Sequence, residues 1–112
     1  MTLNKEDGYR FLVIWEFVVR PGKEKLFEQI YGPNGDWAQL FRRGRGYCGT
    51  TLTRDCDEPR RYLTLDFWKS QEEYERFKSQ HSDEYKAIDA KCEALTEKER
   101  EVGKLVIPRT GD

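Results

Sequence analysis

The chain has 112 residues, with 20 basic and 21 acidic side chains and a formal net charge of −1. That length suits one domain spanning residues 1–112, and near-neutral charge gives no general attraction to nucleic acid or a membrane surface. Three cysteines without a CxxC pair, beside a single histidine, leave no metal site of zinc spacing. Reduced thiols, no leader-like segment and no apolar run near the ~20 residues of a membrane span give a cytoplasmic expectation.

Residues 10–20 read as a long strand rich in β-branched and aromatic side chains, ended by Pro21-Gly22. Lys23 to Tyr31 then has helical spacing, with Leu26, Phe27, Ile30 and Tyr31 on one side. Gly32-Pro33-Asn34-Gly35 breaks this helix, and Asp36 can cap a second piece carrying Trp37, Leu40 and Phe41, which stops near Gly44. A second strand is expected over 47–54, with Asp57-Glu58-Pro59 turning into a third.

That third strand, Tyr62 to Trp68, alternates at period two. Leu63, Leu65 and Phe67 share one face; Tyr62, Thr64, Asp66 and Trp68 share the other. Ser70 and Glu73 have capping-box spacing ahead of a helix carrying Tyr74 and Phe77. After Gln80-His81-Ser82 another helix places Tyr85, Ile88, Cys92 and Leu95 on one stripe, so Cys92 is expected to be buried. Thr96 with Glu99 repeats the capping-box pattern before a short turn, and Val102 to Ile107 forms the last strand.

The order is β-α-β-β-α-β with both helical regions broken, an α+β, ferredoxin-like arrangement. Its helices cover one sheet face and leave the other open. A large apolar face is seldom left bare, so a homodimer packed sheet against sheet is the expected assembly.

The motif Leu65-Asp66-Phe67-Trp68-Lys69-Ser70, followed by a helix with Tyr74 and Phe77, resembles the antibiotic biosynthesis monooxygenase family over residues 10–107. Tyr31 to Trp37, Leu40-Phe41-Arg42 and Gly46 to Thr50 look like a separate, mostly uncharacterised branch of it. The resemblance implies a dimeric α/β barrel whose pocket lies between the helices and the sheet of each subunit. Its members include cofactor-independent oxygenases acting on aromatic phenols, haem-degrading enzymes and small quinone-related proteins. In the haem-degrading branch an Asn, a Trp and a His do the work. Trp15, Phe77 and Asp89 stand at the matching positions here, which argues against haem degradation.

Several residues are candidates for chemistry. Glu16 and Asp66 interrupt apolar strands, where a carboxylate is costly unless paired or wet. Either could serve as a base toward a phenol, and either could instead pair with Arg20, Lys69 or Lys104. Histidine is the residue type whose unperturbed charge change falls near neutral pH, which makes His81 the third base candidate; a solvated loop histidine is the plainer reading. Trp15, Trp37, Trp68 and Phe77 could wall a planar aromatic ligand, with Tyr31 and Tyr47 as hydrogen-bonding tips, or could be core. Arg42, Arg43 and Arg45 could hold an anion, or simply complement a helix C-terminus.

The resemblance implies an oxidoreductase of the monooxygenase type, using no tightly held cofactor and no metal, on a small aromatic or quinone-like molecule. A non-catalytic ligand-binding or stress-related dimer is the alternative, and a purely structural dimer with a filled core is the third reading.

Overall fold

The computed structural model describes residues 8–108. In chain order these form β1 (Phe11–Val19), α1 (Glu24–Tyr31), α2 (Asp36–Phe41), β2 (Tyr47–Arg54), β3 (Arg61–Trp68), α3 (Gln71–Gln80), α4 (Ser82–Cys92), a 3-10 turn (Glu93–Leu95) and β4 (Thr96–Val106). The sheet is antiparallel with order β2-β3-β1-β4. This is the expected α+β, ferredoxin-like domain with two broken helical regions.

Local chemistry sets the boundaries. Gly22 leaves β1 with a φ of +85°, a conformation other residues seldom adopt. Gly32 ends α1, and its amide donates to the Glu28 carbonyl. Gly35 starts α2 in close backbone contact: a Cβ there would overlap the carbonyl oxygens of Gln29 and Ile30. Ser70 caps α3, its Oγ accepting from the Glu73 amide at 3.1 Å. The Glu73 carboxylate turns instead to Arg76, at 2.7 Å, so only half of the capping box forms.

One expectation is corrected. Thr96 and Glu99 cap no helix; both belong to β4, which begins six residues before Val102 and runs for 11 residues beside β1. Long-range pairing overrides a local capping signal here, because nine of the eleven β4 residues, Thr96 and Glu99 among them, gain ladder partners on β1 that a short turn would forgo.

The sheet face toward the helices carries Phe11, Val13, Phe17 and Val19 from β1, with Tyr62, Thr64, Asp66 and Trp68 from β3, all buried. Phe27, Tyr31, Trp37, Phe41, Tyr74 and Phe77 close over it from the helices. Trp68 is fully buried, its ring 5.2–5.7 Å from those of Phe41, Tyr47, Tyr74 and Phe77. Full burial of one such aromatic contributes roughly 1.5–3 kcal/mol. Cys92 is buried as its helical stripe implied.

The opposite face has no helices among the described residues. Leu12, Ile14, Val18, Leu63 and Leu65 lie on it, each partly exposed, and Leu105 of β4 is 47% exposed. No helix of the described residues is long and apolar enough to cross a membrane.

Candidate functional site

An open-mouthed cavity lies between the sheet and the helices, with about 560 Å³ of empty space when adjoining open solvent is counted. Val13 and Phe17 of β1 and Thr64 and Asp66 of β3 form its floor, because period-two alternation aims all four at the helices. Tyr31 closes α1 and Trp37 opens α2, so the Gly32–Gly35 break hangs one aromatic wall on either side of itself. Phe41 and Tyr74 complete the interior. Trp15, Tyr85, Asp89 and Glu99 are half-buried or exposed and form the mouth.

Asp66 is the polar centre of this space. It is 8% exposed, and burial pushes its carboxyl up from the usual 3.8 to about 7; the hydrogen bond from Thr50 only partly opposes that rise. The Thr50 hydroxyl donates to Asp66 Oδ1 at 2.7 Å, and the Tyr47 hydroxyl lies 2.5 Å from the same Thr50 oxygen. Since the Thr50 proton is committed to Asp66, Tyr47 is the donor to Thr50. Asp66 Oδ2 has no hydrogen-bond partner among the described residues.

A β-bulge makes that line. Tyr47 pairs with Trp68 and Thr50 with Asp66, two positions of β3 that share a face, while the register shifts between Tyr47 and Gly49. Residues three apart on a regular strand face opposite ways; the extra residue, Cys48, brings Tyr47 and Thr50 to the same side. Gly49, at φ +129°, accommodates the bend.

The tyrosines around the cavity are held neutral. Burial pushes the hydroxyls of Tyr31 and Tyr74 well up, and Tyr85 to about 12, where Asp89, Asp66 and Glu99 add to the effect of burial. They can donate hydrogen bonds but do not supply a base near neutral pH.

The sequence-level candidates separate into groups. Asp66, Trp15, Tyr31 and Trp37 line the cavity. Tyr47 reaches it only through Thr50, and Trp68 and Phe77 stand behind its wall in the core. Glu16 lies on the open face of β1, where Arg61 Nε donates to it at 2.6 Å and Arg100 Nε at 3.0 Å. These two guanidiniums hold its carboxyl below the usual range. His81 joins α3 to α4, with its ring 5.1 Å from Phe77 and Nδ1 3.6 Å from the Glu84 carboxylate, and is outside the cavity lining. Arg42 donates to the Pro33 carbonyl and Asn34 Oδ1, and Arg43 pairs with Glu84, so both tie elements together.

Thr50, Thr64, Tyr74, Tyr85 and Glu99 were not singled out from the sequence as site residues. Thr50 had a readable signal: a glycine inside a strand pattern, Gly49, marks a bulge that re-aims its neighbours. Glu99 had none, since its spacing from Thr96 mimics a capping box. Among the described residues no group of three or more His, Cys, Asp or Glu side chains is arranged to hold a metal.

Residues 10–91 match the antibiotic biosynthesis monooxygenase family. Among solved structures, SnoaB, a cofactor-independent oxygenase from Streptomyces nogalater, is 21% identical with a TM-score of 0.69, over 92% of this chain and 97% of its own. PA3566 from Pseudomonas aeruginosa is 15% identical, with a TM-score of 0.64 over 90% and 96%. A Bordetella bronchiseptica protein is 25% identical, with a TM-score of 0.64 over 87% and 95%. No curated protein matches the sequence. With most of its length matched, its fold shared and an aromatic cavity between helices and sheet, the chain belongs to the antibiotic biosynthesis monooxygenase family.

Proposed function

We propose that the protein is a cofactor-independent monooxygenase acting on a small aromatic or quinone-like molecule, with Asp66 as its base. The observation that carries this reading is a buried carboxyl, poised at about 7 and with one oxygen unengaged, on the floor of an aromatic-walled cavity. A base works best when its pKa lies near the working pH. Family membership and the likeness in fold to SnoaB, itself a cofactor-independent oxygenase, support the reaction class.

In this mechanism Trp15, Tyr31 and Trp37 hold the substrate ring, and Asp66 Oδ2 removes a proton to leave an electron-rich anion. Thr50, steadied by Tyr47, fixes the carboxylate and helps hold its charge. The anion gives its electrons to dioxygen. One oxygen atom becomes a carbonyl on the attacked carbon; the other leaves as water with the one hydrogen that carbon loses and the phenolic proton taken up by Asp66. The surrounding rings exclude bulk water from the reacting carbon. Trp68 and Phe77 keep the wall in place from behind. Glu16 and His81 stand outside these steps.

The open sheet face, lined by Leu12, Ile14, Leu63 and Leu65, is assigned to a second copy of the chain. The three free thiols suit a reducing, cytoplasmic setting. Oxygen uptake with a panel of quinols and polycyclic phenols tests the chemistry. Asp66→Asn is expected to lower turnover by about 10²–10⁴-fold while binding persists. Binding without turnover by the unaltered protein across the panel would favour a non-catalytic binding dimer. Sedimentation at micromolar concentration tests the dimer, which a lone monomer boundary would rule out.

A further inference from the structure

The cavity has a charge bias that the reaction class does not require. Seven of its twelve lining residues are aromatic, and three more, Asp66, Asp89 and Glu99, are carboxylic acids; no Lys, Arg or His lines it. The acids come from three elements. Asp66 rises from the floor on β3, Asp89 stands at the mouth on α4, and Glu99 faces it from β4. They also act on one another: after burial, Asp89 is the main cause holding the Glu99 carboxyl above its usual range.

None of the three forms an ion pair among the described residues, although acids nearby do: Asp36 with Lys91, Glu84 with Arg43, Glu101 with Lys104. Lys78 lies over the rings of Tyr85 and Tyr74, at 4.9 and 5.6 Å from their centres, and is not among the lining groups. The nine-tenths-buried Asp66 lines the cavity and has one oxygen without a hydrogen-bond partner among the described residues.

Aromatic faces attract cations through their quadrupole, and carboxylates at the rim add to that attraction. We propose that the cavity takes an aromatic molecule carrying a positively charged nitrogen, with its ring among Tyr31, Trp37 and Phe41 and its ammonium group toward Asp89 and Glu99. The inference rests on the cavity being the binding site and deepens that reading. A phenolate formed beside three acids would be opposed by their charge. An ammonium group on the same molecule cancels much of that opposition, so a basic nitrogen suits both binding and proton removal.

Two matched trios test the idea by calorimetry at pH 8. One is tyramine, tyrosol and 4-hydroxyphenylacetate; the other is 1-naphthylmethylamine, 1-naphthalenemethanol and 1-naphthoate. The amine of at least one trio is expected to bind about tenfold more tightly than its alcohol, and the acid most weakly. That preference should shrink as salt rises, since the rim is open to solvent. Asp89→Asn with Glu99→Gln should shrink the amine's preference over its alcohol severalfold, and an undiminished preference would overturn the placement of the ammonium group at these two acids; both side chains are exposed, so the fold is not at risk. Equal binding of amine, alcohol and acid would overturn the charge inference while the cavity stands as a binding site. Tighter binding of the acids would overturn it too. Failure of every compound to bind would overturn both readings.

Discussion

Replacing Asp66 by Asn isolates the energetic consequence of burying a carboxyl under rings. Asn keeps an oxygen for the Thr50 hydroxyl but cannot ionise. In the native protein the Asp66 carboxyl titrates at about 7 instead of 3.8. Below pH 3.8 both native and unfolded chains hold the proton. Between the two values the native state keeps a proton that the unfolded chain has released, so stability falls as pH rises through this window. Above about pH 7 the loss is complete and levels off, at about 4 kcal/mol. The Asn variant lacks that loss. Urea unfolding of both proteins at pH 4 and pH 8 should show their stability difference moving by about 3–4 kcal/mol in favour of Asn. Any constant cost of the substitution drops out of that comparison, as do the other titrating groups. A stability difference that stays the same at both pH values would refute a raised Asp66 pKa.

Other expectations follow from the same geometry. If Asp66 is the base, turnover should rise with pH through about 7, and Thr50→Val should move that midpoint upward by removing the hydrogen bond that holds the pKa down; a pH–rate profile of the two proteins is the check. Trp68→Ala should cost about 3–5 kcal/mol in chemical denaturation, because the ring is fully enclosed by four other aromatics. Gly46→Ala should cost about 1–3 kcal/mol by overpacking, since a Cβ there would overlap the Glu73 side chain; a thermal melt reads it.

How far the sequence could be read depended on whether the deciding contact was local. The alternation in β3 announces which residues face the helices, and Asp66 among them, because period two is a property of the chain itself. Ser70 announces a helix start for the same reason. Thr96 and Glu99 carried an equally local signal that proved misleading, since pairing with distant β1 decides their conformation. Glu16 and Asp66 look alike in sequence, each a carboxylate in an apolar strand. Only the pairing of β1 with β3 and β4 shows that one meets Arg61 and Arg100 while the other meets Thr50 alone. The acids at the mouth, Asp89 and Glu99, converge across α4 and β4 and leave no trace in spacing.

The three indoles occupy three different surroundings, and this divides the protein's intrinsic light emission into separate reporters. Trp68 is sealed from solvent, with no hydrogen-bond partner for its ring nitrogen among the described residues, so it should emit at short wavelength whatever occupies the cavity. Trp37 forms the cavity's inner wall and Trp15 part of its half-open mouth, so a bound planar molecule would quench these two while Trp68 persists as an internal standard. The residual blue emission at saturation then measures the integrity of the core, and the quenched fraction measures occupancy, in one titration without a label.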